Sequence, residues 1–445
     1  MFVEKIIKGD ARTALVKKNI IGSFLVKGWN CVVQFLLVPI TLHCLTQYEY
    51  GVWLTVNSIL VWIDQFDIGL GNGLRNKLAE AMAKGEKERA GILVSTTLFT
   101  LIGVIVPVVL LAIALLHEVD CYSLLNVDRN IVPNLNGLLA VLVALVGGTF
   151  VLKVIGNIYL GLQLPAVNNL LVVSGQTIAL LLILLLSLQD VHSLYAVAVV
   201  YTASPLLVYA LSWPLTFHKY GFLSPSLRKF RKEELNGIFS LGITFFFIQV
   251  AGLVIFASSN ILITNLLSPA DVTVYQISYR YFSLVVMLFT LISAPLWTAT
   301  TDAYTKHDME WIRVMERKMR RVMAFFLLCL ACMYAASKMF YNVWVGKDIH
   351  ISWGLSAMMA MYVAVLMFST CYSNILFGIG KLRVITMATI LEAVMYIPLS
   401  ILLGRHYGLY GVVGALILVN MLCAVCNKIQ FSKLISGKAH GLWNK

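Results

Sequence analysis

The chain has 445 residues, of which 60% are hydrophobic and only 12% are charged, and its formal net charge is +13. A soluble domain carries about 25% charged residues, so this chain cannot build an ordinary water-facing surface. Lipid must be its main solvent, which excludes a soluble globular protein.

Apolar stretches long enough to cross a membrane recur along the whole chain. A hydrocarbon core of about 30 Å needs roughly 20 apolar residues in a helix. The first stretch is too long for a signal-peptide core and lacks a small-residue cleavage pattern, so we expect it to be retained. The sequence therefore predicts an all-α polytopic membrane protein with about twelve transmembrane helices. The predicted spans are 19–42, 50–69, 91–116, 135–162, 165–188, 193–217, 237–266, 273–301, 322–345, 353–377, 384–404 and 409–430.

Basic residues are concentrated in alternate connections between these spans. With a cytoplasmic amino terminus, the cytoplasmic side receives most of them, and the outer side keeps only Arg129, Lys338, Lys347 and Arg405. The positive-inside rule therefore places both termini in the cytoplasm. Because this sidedness explains the net charge, we expect no nucleic-acid partner.

The chain divides near its middle at a predicted cytoplasmic linker, residues 219–236. The segment beginning at Asn157 matches the segment beginning at Asn374, and the same offset carries Val167 onto Val384. We prefer internal duplication to a chance match because the correspondence continues without a gap. Each half holds an even number of spans, so the halves share an orientation. The sequence predicts an N-terminal lobe, 1–218, and a C-terminal lobe, 237–445, each of about six spans and related by pseudo-symmetry.

Polar side chains follow one face of the first predicted span. Ser23, Lys27, Asn30 and Gln34 have the spacing of a single helical face. Lys27 could snorkel to the interface, but snorkelling does not account for Asn30 and Gln34. A wet, inward-facing stripe explains the set better.

The second predicted span ends in two carboxylates and a glycine-rich motif. Asp64 and Asp67 lie three residues apart on one helical face. The motif Phe66-Asp-Ile-Gly-Leu-Gly-Asn72-Gly-Leu-Arg75 leads into a basic amphipathic stretch that we expect along the inner interface. No strand precedes the glycines and no Lys-Ser/Thr follows them, so nucleotide binding is not expected.

Ionisable residues also lie deep in later spans, where each costs on the order of a few kcal/mol. Lys153 lies in span four and Arg280 in span eight. Arg280 either pairs with an acidic residue or lines an anion-binding cavity. Glu392, in span eleven, is a candidate for protonation or ion coupling, with a static ion pair or a hydrogen-bonded acid as the alternative. Because cations prevail at depth, such a cavity favours an anionic substrate.

The cysteines and histidines provide no recognisable catalytic or metal-binding set. The pairs Cys329/Cys332 and Cys423/Cys426 have a spacing seen in metal and redox sites, but each lies in a span without a nearby His or further Cys. We expect these cysteines to be buried apolar residues. No metal site and no enzyme activity are expected.

Together, these motifs resemble those of the Wzx-type polysaccharide flippases, which carry O-antigen or capsule repeat units. These flippases belong to the multidrug/oligosaccharidyl-lipid/polysaccharide exporter (MOP) superfamily, as do the MATE and MurJ transporters. The most specific match is Phe66–Glu80, and the Tyr50–Trp53 segment and the half-repeats extend it over the chain. The resemblance implies two six-helix lobes around a central cavity that opens alternately to each side.

The resemblance also implies a substrate, a location and site residues. The substrate would be a polyprenyl-pyrophosphate-linked oligosaccharide, flipped from the inner to the outer leaflet of the bacterial cytoplasmic (inner) membrane. No cofactor is expected beyond a coupling ion, H⁺ or Na⁺. The expected partners are membrane lipid and the polysaccharide polymerase machinery, and the expected state is a monomer. The candidate residues are Lys27, Asn30, Gln34, Lys153 and Arg280 for the substrate cavity, Asp64, Asp67, Asn72 and Arg75 for a cytoplasmic gate motif, and Glu392 for ion coupling.

Two other classes of function remain as alternatives. A MATE-type exporter of drugs or small organic cations would be expected to have a carboxylate-lined pocket. A membrane enzyme such as a polysaccharide polymerase or ligase would need a sizeable outer loop with catalytic Arg or His residues. No predicted outer loop reaches that size, which disfavours the enzyme.

Overall fold

The chain divides into two compact units, Met1–Val250 and Ala251–Lys445. The computed structural model describes residues 11–65, 70–235, 258–293 and 295–444. Within these ranges it describes only the backbone of residues 11–25, 27, 62–65, 72, 295, 298 and 302. All the long elements of the described chain are α-helices.

The described part of the first unit contains nine α-helices before residue 220, followed by two short 3₁₀ helices, Gly221–Leu223 and Leu227–Lys229, and by helical residues at 233–235. The nine α-helices are α1 Ala11–Cys44, α2 Gln47–Gln65, α3 Leu70–Ala83, α4 Lys87–Glu118, α5 Cys121–Leu125, α6 Leu135–Leu152, α7 Val154–Gly161, α8 Pro165–Leu188 and α9 Leu194–Lys219. Helix α1 packs along α8, and α6 packs along α9.

The second unit is built from six helices in its described part. They are α10 Ser258–Leu266, α11 Pro269–Ser293, α12 Pro295–Thr305, α13 Met309–Trp344, α14 Trp353–Ile379 and α15 Arg383–Ile435. Gly408 has φ 59° and ψ −139°, which breaks α15 into two halves. These halves correspond to the last two predicted spans, so the break supplies the connection between them.

In the described part of the chain, eight helices are long and apolar enough to cross a membrane. Helix α15 is one of them although it holds two predicted spans, and α1 has a shorter apolar stretch, Gly28–Cys44. The prediction of an all-α polytopic membrane protein is confirmed. Most of the predicted span 237–266 lies outside the described residues.

One predicted span is interrupted where the sequence analysis expected a continuous helix. Span four breaks at Lys153, where the Gly156 amide donates to the Lys153 carbonyl at 2.8 Å and tightens the turn between α6 and α7. In predicted span eight, α11 ends at Ser293 and α12 begins at Pro295, and residue 294 lies outside the described residues.

A short helix that follows a long one is packed into the core of each unit. In the first unit, α3 lies against α4 and α7 and buries Leu70, Leu74 and Leu78 completely. Arg75 lies on the exposed face of the same helix. In the second unit, α12 packs against α14. The amphipathic helix expected after the glycine-rich motif is therefore present.

The described part of the predicted linker packs against the helices of the first unit and is hydrogen-bonded to them. Leu223 is fully buried in that unit's core. The Ser226 amide donates to Ser95 Oγ at 3.2 Å, and the Arg231 amide donates to Thr96 Oγ1 at 3.0 Å. The Arg89 guanidinium donates two hydrogen bonds, of 3.0 and 3.3 Å, to the Glu234 carboxylate. These contacts make residues 221–234 an ordered part of the first unit.

Candidate functional site

The polar stripe of span one lies on α1. The side chain of Lys27 lies outside the described residues. Gln34 Nε2 donates to Asn30 Oδ1 at 3.5 Å, so these two amides face the same side of the helix. Gln34 is exposed and Asn30 is partly exposed, which fits a polar face that is not part of the unit's core. Near them, Trp29 Nε1 donates to Thr177 Oγ1 on α8 at 3.0 Å and fixes α1 against α8.

Only part of the glycine-rich motif can be described. Asp67 and the side chains of Asp64 and Asn72 lie outside the described residues, so their predicted roles stay predictions. Arg75 is exposed on α3. Farther along α3, Glu80 contacts Lys84 at 2.7 Å and Lys77 at 3.2 Å. The hydrogen bond from Lys84, and then that from Lys77, lower the pKa of Glu80 to about 2.

Lys153 lies at the break between α6 and α7. Its Nζ is 4.8 Å from the centroid of the Phe150 ring, a distance suited to a cation–π contact, and the side chain is partly buried. Phe150 lies three residues before Lys153, so the two side chains are neighbours along the helix.

Arg280 lies on α11 and is partly buried. Its carbonyl accepts a hydrogen bond from Ser283 Oγ at 3.0 Å. On the same helix, the rings of Tyr275 and Tyr279 are stacked with centroids 6.3 Å apart. Arg280 therefore lies on a helix that also carries aromatic and hydroxyl-bearing side chains.

Glu392 is buried inside the second unit, with 5% of its surface exposed. The thiol of Cys423, on the other half of α15, lies beside its carboxylate. Asn427, one turn beyond Cys423, donates to Ser373 Oγ at 3.0 Å and to Ser369 Oγ at 3.5 Å on α14. Its Oδ1 is buried and has no hydrogen-bond partner in the described chain. The carboxylate therefore lies near a cluster of buried polar side chains on α14 and α15.

A second buried carboxylate, Glu316, was missed by the sequence analysis. Its Oε1 accepts hydrogen bonds from Tyr372 at 2.8 Å and Lys428 at 3.2 Å, and its Oε2 pairs with Arg320 at 3.1 Å. The Lys428 ammonium also lies 4.6 Å from the centroid of the Tyr372 ring. Three helices, α13, α14 and α15, meet at this one carboxylate. The i, i+4 spacing of Glu316 and Arg320 was the only sequence signal.

The cysteine pairs are only partly in the core. Cys423 is buried, whereas Cys332 is exposed on the surface of α13. The prediction of four buried cysteines is confirmed only for Cys423: Cys332 is exposed, and Cys329 and Cys426 are partly exposed. An apolar residue in a membrane helix can face lipid as well as protein. Within the described residues, no group of three or more His, Cys, Asp or Glu side chains is placed to hold a metal ion.

Comparison with known proteins identifies the relatives of this chain. Residues 16–297 match the family described as polysaccharide biosynthesis protein. A putative O-antigen transporter of Salmonella typhi is 21% identical over 397 residues, which cover 87% of this chain and 88% of that protein. A putative O-antigen export protein of Yersinia pseudotuberculosis is 21% identical over 405 residues, covering 86% and 88%. A solved inward-facing multidrug resistance MATE transporter of the MOP superfamily matches with a TM-score of 0.71 at 17% identity, covering 94% of this chain and 95% of that one.

The helices and these likenesses define a multi-pass membrane protein with the fold of the MOP superfamily transporters. The chain belongs to the polysaccharide biosynthesis protein family, whose match covers more than half of it. The resemblance to the Wzx-type flippases, inferred from Phe66–Glu80 and the half-repeats, is confirmed at this level.

Proposed function

We propose that this protein flips polyprenyl-pyrophosphate-linked oligosaccharide repeat units from the inner to the outer leaflet of the bacterial inner membrane. The observation that carries the proposal is the family match over residues 16–297, joined to nearly full-length similarity to two putative O-antigen transport proteins. Flipping makes and breaks no covalent bond, so the protein acts as a transporter and not as an enzyme. Both termini would lie in the cytoplasm, as the loop charges indicate.

The intramembrane cations support an anionic substrate. A pyrophosphate brought into a low-dielectric cavity needs positive partners, because an unpaired buried charge is costly. Lys27, Lys153 and Arg280 would supply them, and the amides of Asn30 and Gln34 would donate hydrogen bonds to sugar hydroxyls. The polyprenyl tail would stay in lipid. Asp64, Asp67, Asn72 and Arg75 would form the cytoplasmic gate.

An ion gradient would drive the cycle by alternating access. Glu392 is our candidate for the coupling site because it is a carboxylate buried within an apolar helix, and such a group changes its charge when it binds H⁺ or Na⁺.

Deletion of the gene tests the proposal directly. Lipid-linked repeat units should accumulate on the cytoplasmic side, and surface polymer should disappear and return with a plasmid copy. Normal surface polymer in a strain without a second flippase would overturn the proposal.

A MATE-type exporter of organic cations is the second candidate, because the fold likeness is to a multidrug transporter. Expression in a dye-sensitive host distinguishes the two functions. Resistance to cationic dyes with unchanged surface polymer in the deletion strain would favour export of cations.

A further inference from the structure

A row of polar side chains is buried on one face of α15. Glu392, Tyr396 and Ser400 recur at every fourth residue, so they share a helical face. Their exposed fractions are 5%, 0% and 0%. A polar side chain is costly to bury in an apolar segment unless it is partnered or functional. Three in succession require a common explanation.

Hydroxyl groups from three other helices adjoin this row. The Tyr396 hydroxyl lies 2.6 Å from Ser259 Oγ on α10, a short hydrogen bond in which either oxygen can donate. Ser259 also adjoins the hydroxyl of Tyr275 on α11. Tyr362 on α14 is almost completely buried, and its hydroxyl is within electrostatic range of Tyr396 and the Glu392 carboxylate. These hydroxyls line a buried polar path along the row on α15.

The far end of the row is incompletely hydrogen-bonded. Ser400 Oγ adjoins Tyr396 but has no hydrogen-bond partner in the described chain. A buried hydroxyl without a partner is costly, and a bound water molecule would relieve that cost. Ser400 lies one turn before Gly404. Gly404 ends the predicted span 384–404, and this end of the span is predicted to face the outer side of the membrane. Water would therefore reach the row from that end.

The groups that face Glu392 carry no fixed positive charge in the described chain. The titratable groups beside it are the Cys423 thiol, on the second half of α15, and the Tyr362 hydroxyl on α14. Ser369 and Thr389 surround Cys423, and the remaining titratable members of the path are Tyr275 and Tyr396. Their hydroxyls can both donate and accept a hydrogen bond. Proton transfer requires that dual capacity, whereas a metal ion needs only acceptors.

We propose that Ser400, Tyr396 and Tyr362 form a proton relay that delivers H⁺ to Glu392. A water at Ser400 gives a proton to the Tyr396 oxygen as Tyr396 releases its own proton toward Tyr362 and the carboxylate. Glu392 becomes a neutral carboxylic acid, the water becomes hydroxide and is reprotonated from the outside, and rotation of the hydroxyls restores the path. Ser259 positions the Tyr396 hydroxyl. The inference rests on the proposed function only in naming H⁺ as the coupling ion.

The rate at which Glu392 takes up a proton can be measured in the absence of substrate. The purified full-length protein in lipid nanodiscs is given a proton pulse from a caged acid, and time-resolved infrared spectroscopy follows the carbonyl band of the protonated carboxyl. Loss of that band in Glu392→Gln assigns it. Tyr396→Phe removes one hydroxyl and should slow the appearance of the band at least about tenfold. Ser259→Ala should slow it less, because the Tyr396 hydroxyl remains.

Tyr410→Phe is the matched control. Tyr410 is on the same helix, and its hydroxyl makes an equally short bond of 2.6 Å to Ser352, but at an exposed position. Its variant should keep the wild-type rate. A wild-type rate in both Tyr396→Phe and Ser259→Ala would overturn the relay, as would a band that responds to Na⁺ at constant pH. A working relay in a protein whose deletion leaves surface polymer intact would instead overturn the transport proposal alone.

Discussion

Gly161 and Gly378 occupy corresponding positions in the two units. Each is the fifth residue of one of the two matching segments, Asn157 and Asn374 being the first. A Cβ at Gly161 would lie 2.8 Å from the Leu78 side chain of α3, and one at Gly378 would lie 2.6 Å from the Trp297 carbonyl of α12. In each unit the glycine lies where a later helix, α7 or α14, packs against a short helix, α3 or α12. This shared contact supports the internal duplication.

We expect Gly378→Val to destabilise the protein by about 1–3 kcal/mol, because the new side chain would overlap backbone that cannot move aside. Gly161→Val should cost less, since the Leu78 side chain can shift. Thermal unfolding in detergent measures both changes. Gly103→Val is the control, because Gly103 lies on α4 with open space around it. Equal melting temperatures for Gly378→Val and Gly103→Val would contradict the packing argument.

Glu316→Gln should destabilise the second unit by about 2 kcal/mol, because it leaves Lys428 and Arg320 without their shared carboxylate. Tyr372→Phe should cost about 1 kcal/mol, the value of one hydrogen bond. Chemical denaturation followed by tryptophan fluorescence gives both values. Glu310→Gln is the control. Glu310 is exposed and pairs with Arg313 and Arg317, and the loss of these pairs should destabilise the protein by less than about 1 kcal/mol. A larger loss in Glu310→Gln than in Glu316→Gln would refute this ranking.

Glu234→Gln should loosen the linker with little effect on global stability. The ion pair with Arg89 is partly exposed, so its contribution is less than about 1 kcal/mol. Local opening should nevertheless rise, and limited trypsin digestion at Arg228 and Lys229 should become faster. The neighbouring Glu233→Gln provides the control, because Glu233 is exposed and outside these contacts. Identical digestion rates in the two variants would show that the Arg89 contact does not hold the linker.

Arg280→Gln, Lys153→Gln and Lys27→Ala should each lower surface polymer roughly tenfold or more, because each removes a charged partner of the pyrophosphate. The amount of protein in the membrane should stay unchanged. Polymer on gels and protein on immunoblots from a complemented deletion strain supply the two readouts. Arg129→Gln is the control, since Arg129 pairs with Asp120 at an exposed site. Full polymer in all three variants would assign these cations structural roles.

Acid should weaken the stabilisation that the ion pairs of Glu80 contribute to the folded protein. Its pKa in the folded protein is lowered to about 2, so its stabilising contribution is complete above the unfolded value near 4.5. That contribution is lost as the pH falls from about 4.5 through about 2. The difference in melting temperature between wild type and Glu80→Gln should therefore be constant from pH 7 to pH 5 and shrink below. A difference that grows with acidity would contradict the assignment.

The hydrophobic pattern predicts the long helices well, because a bilayer requires a fixed length of apolar helix. It does not predict where they break. Lys153 interrupts span four through a local turn. Nothing in the sequence around Lys153 signals that turn.

Which side of a helix faces protein is harder to infer than its length. Cys332 and Cys423 both lie in apolar spans, yet one is exposed and the other buried. Lipid and protein interior are both apolar, so hydropathy does not distinguish them. The row Glu392, Tyr396 and Ser400 could have been found by its spacing. The hydrogen bonds from Tyr372 and Lys428 to Glu316 could not have been found from the sequence, because they link three helices that are distant in sequence.

The docking of the linker on α4 also bears on how the protein is made. Leu223, Ser226, Arg231 and Glu234 all contact residues synthesised much earlier in the same unit. The first half of the chain can therefore complete these bonds while the second half is still on the ribosome. The nascent protein would then carry a folded linker before its later helices enter the membrane, which limits the chance that helices of the two halves exchange partners.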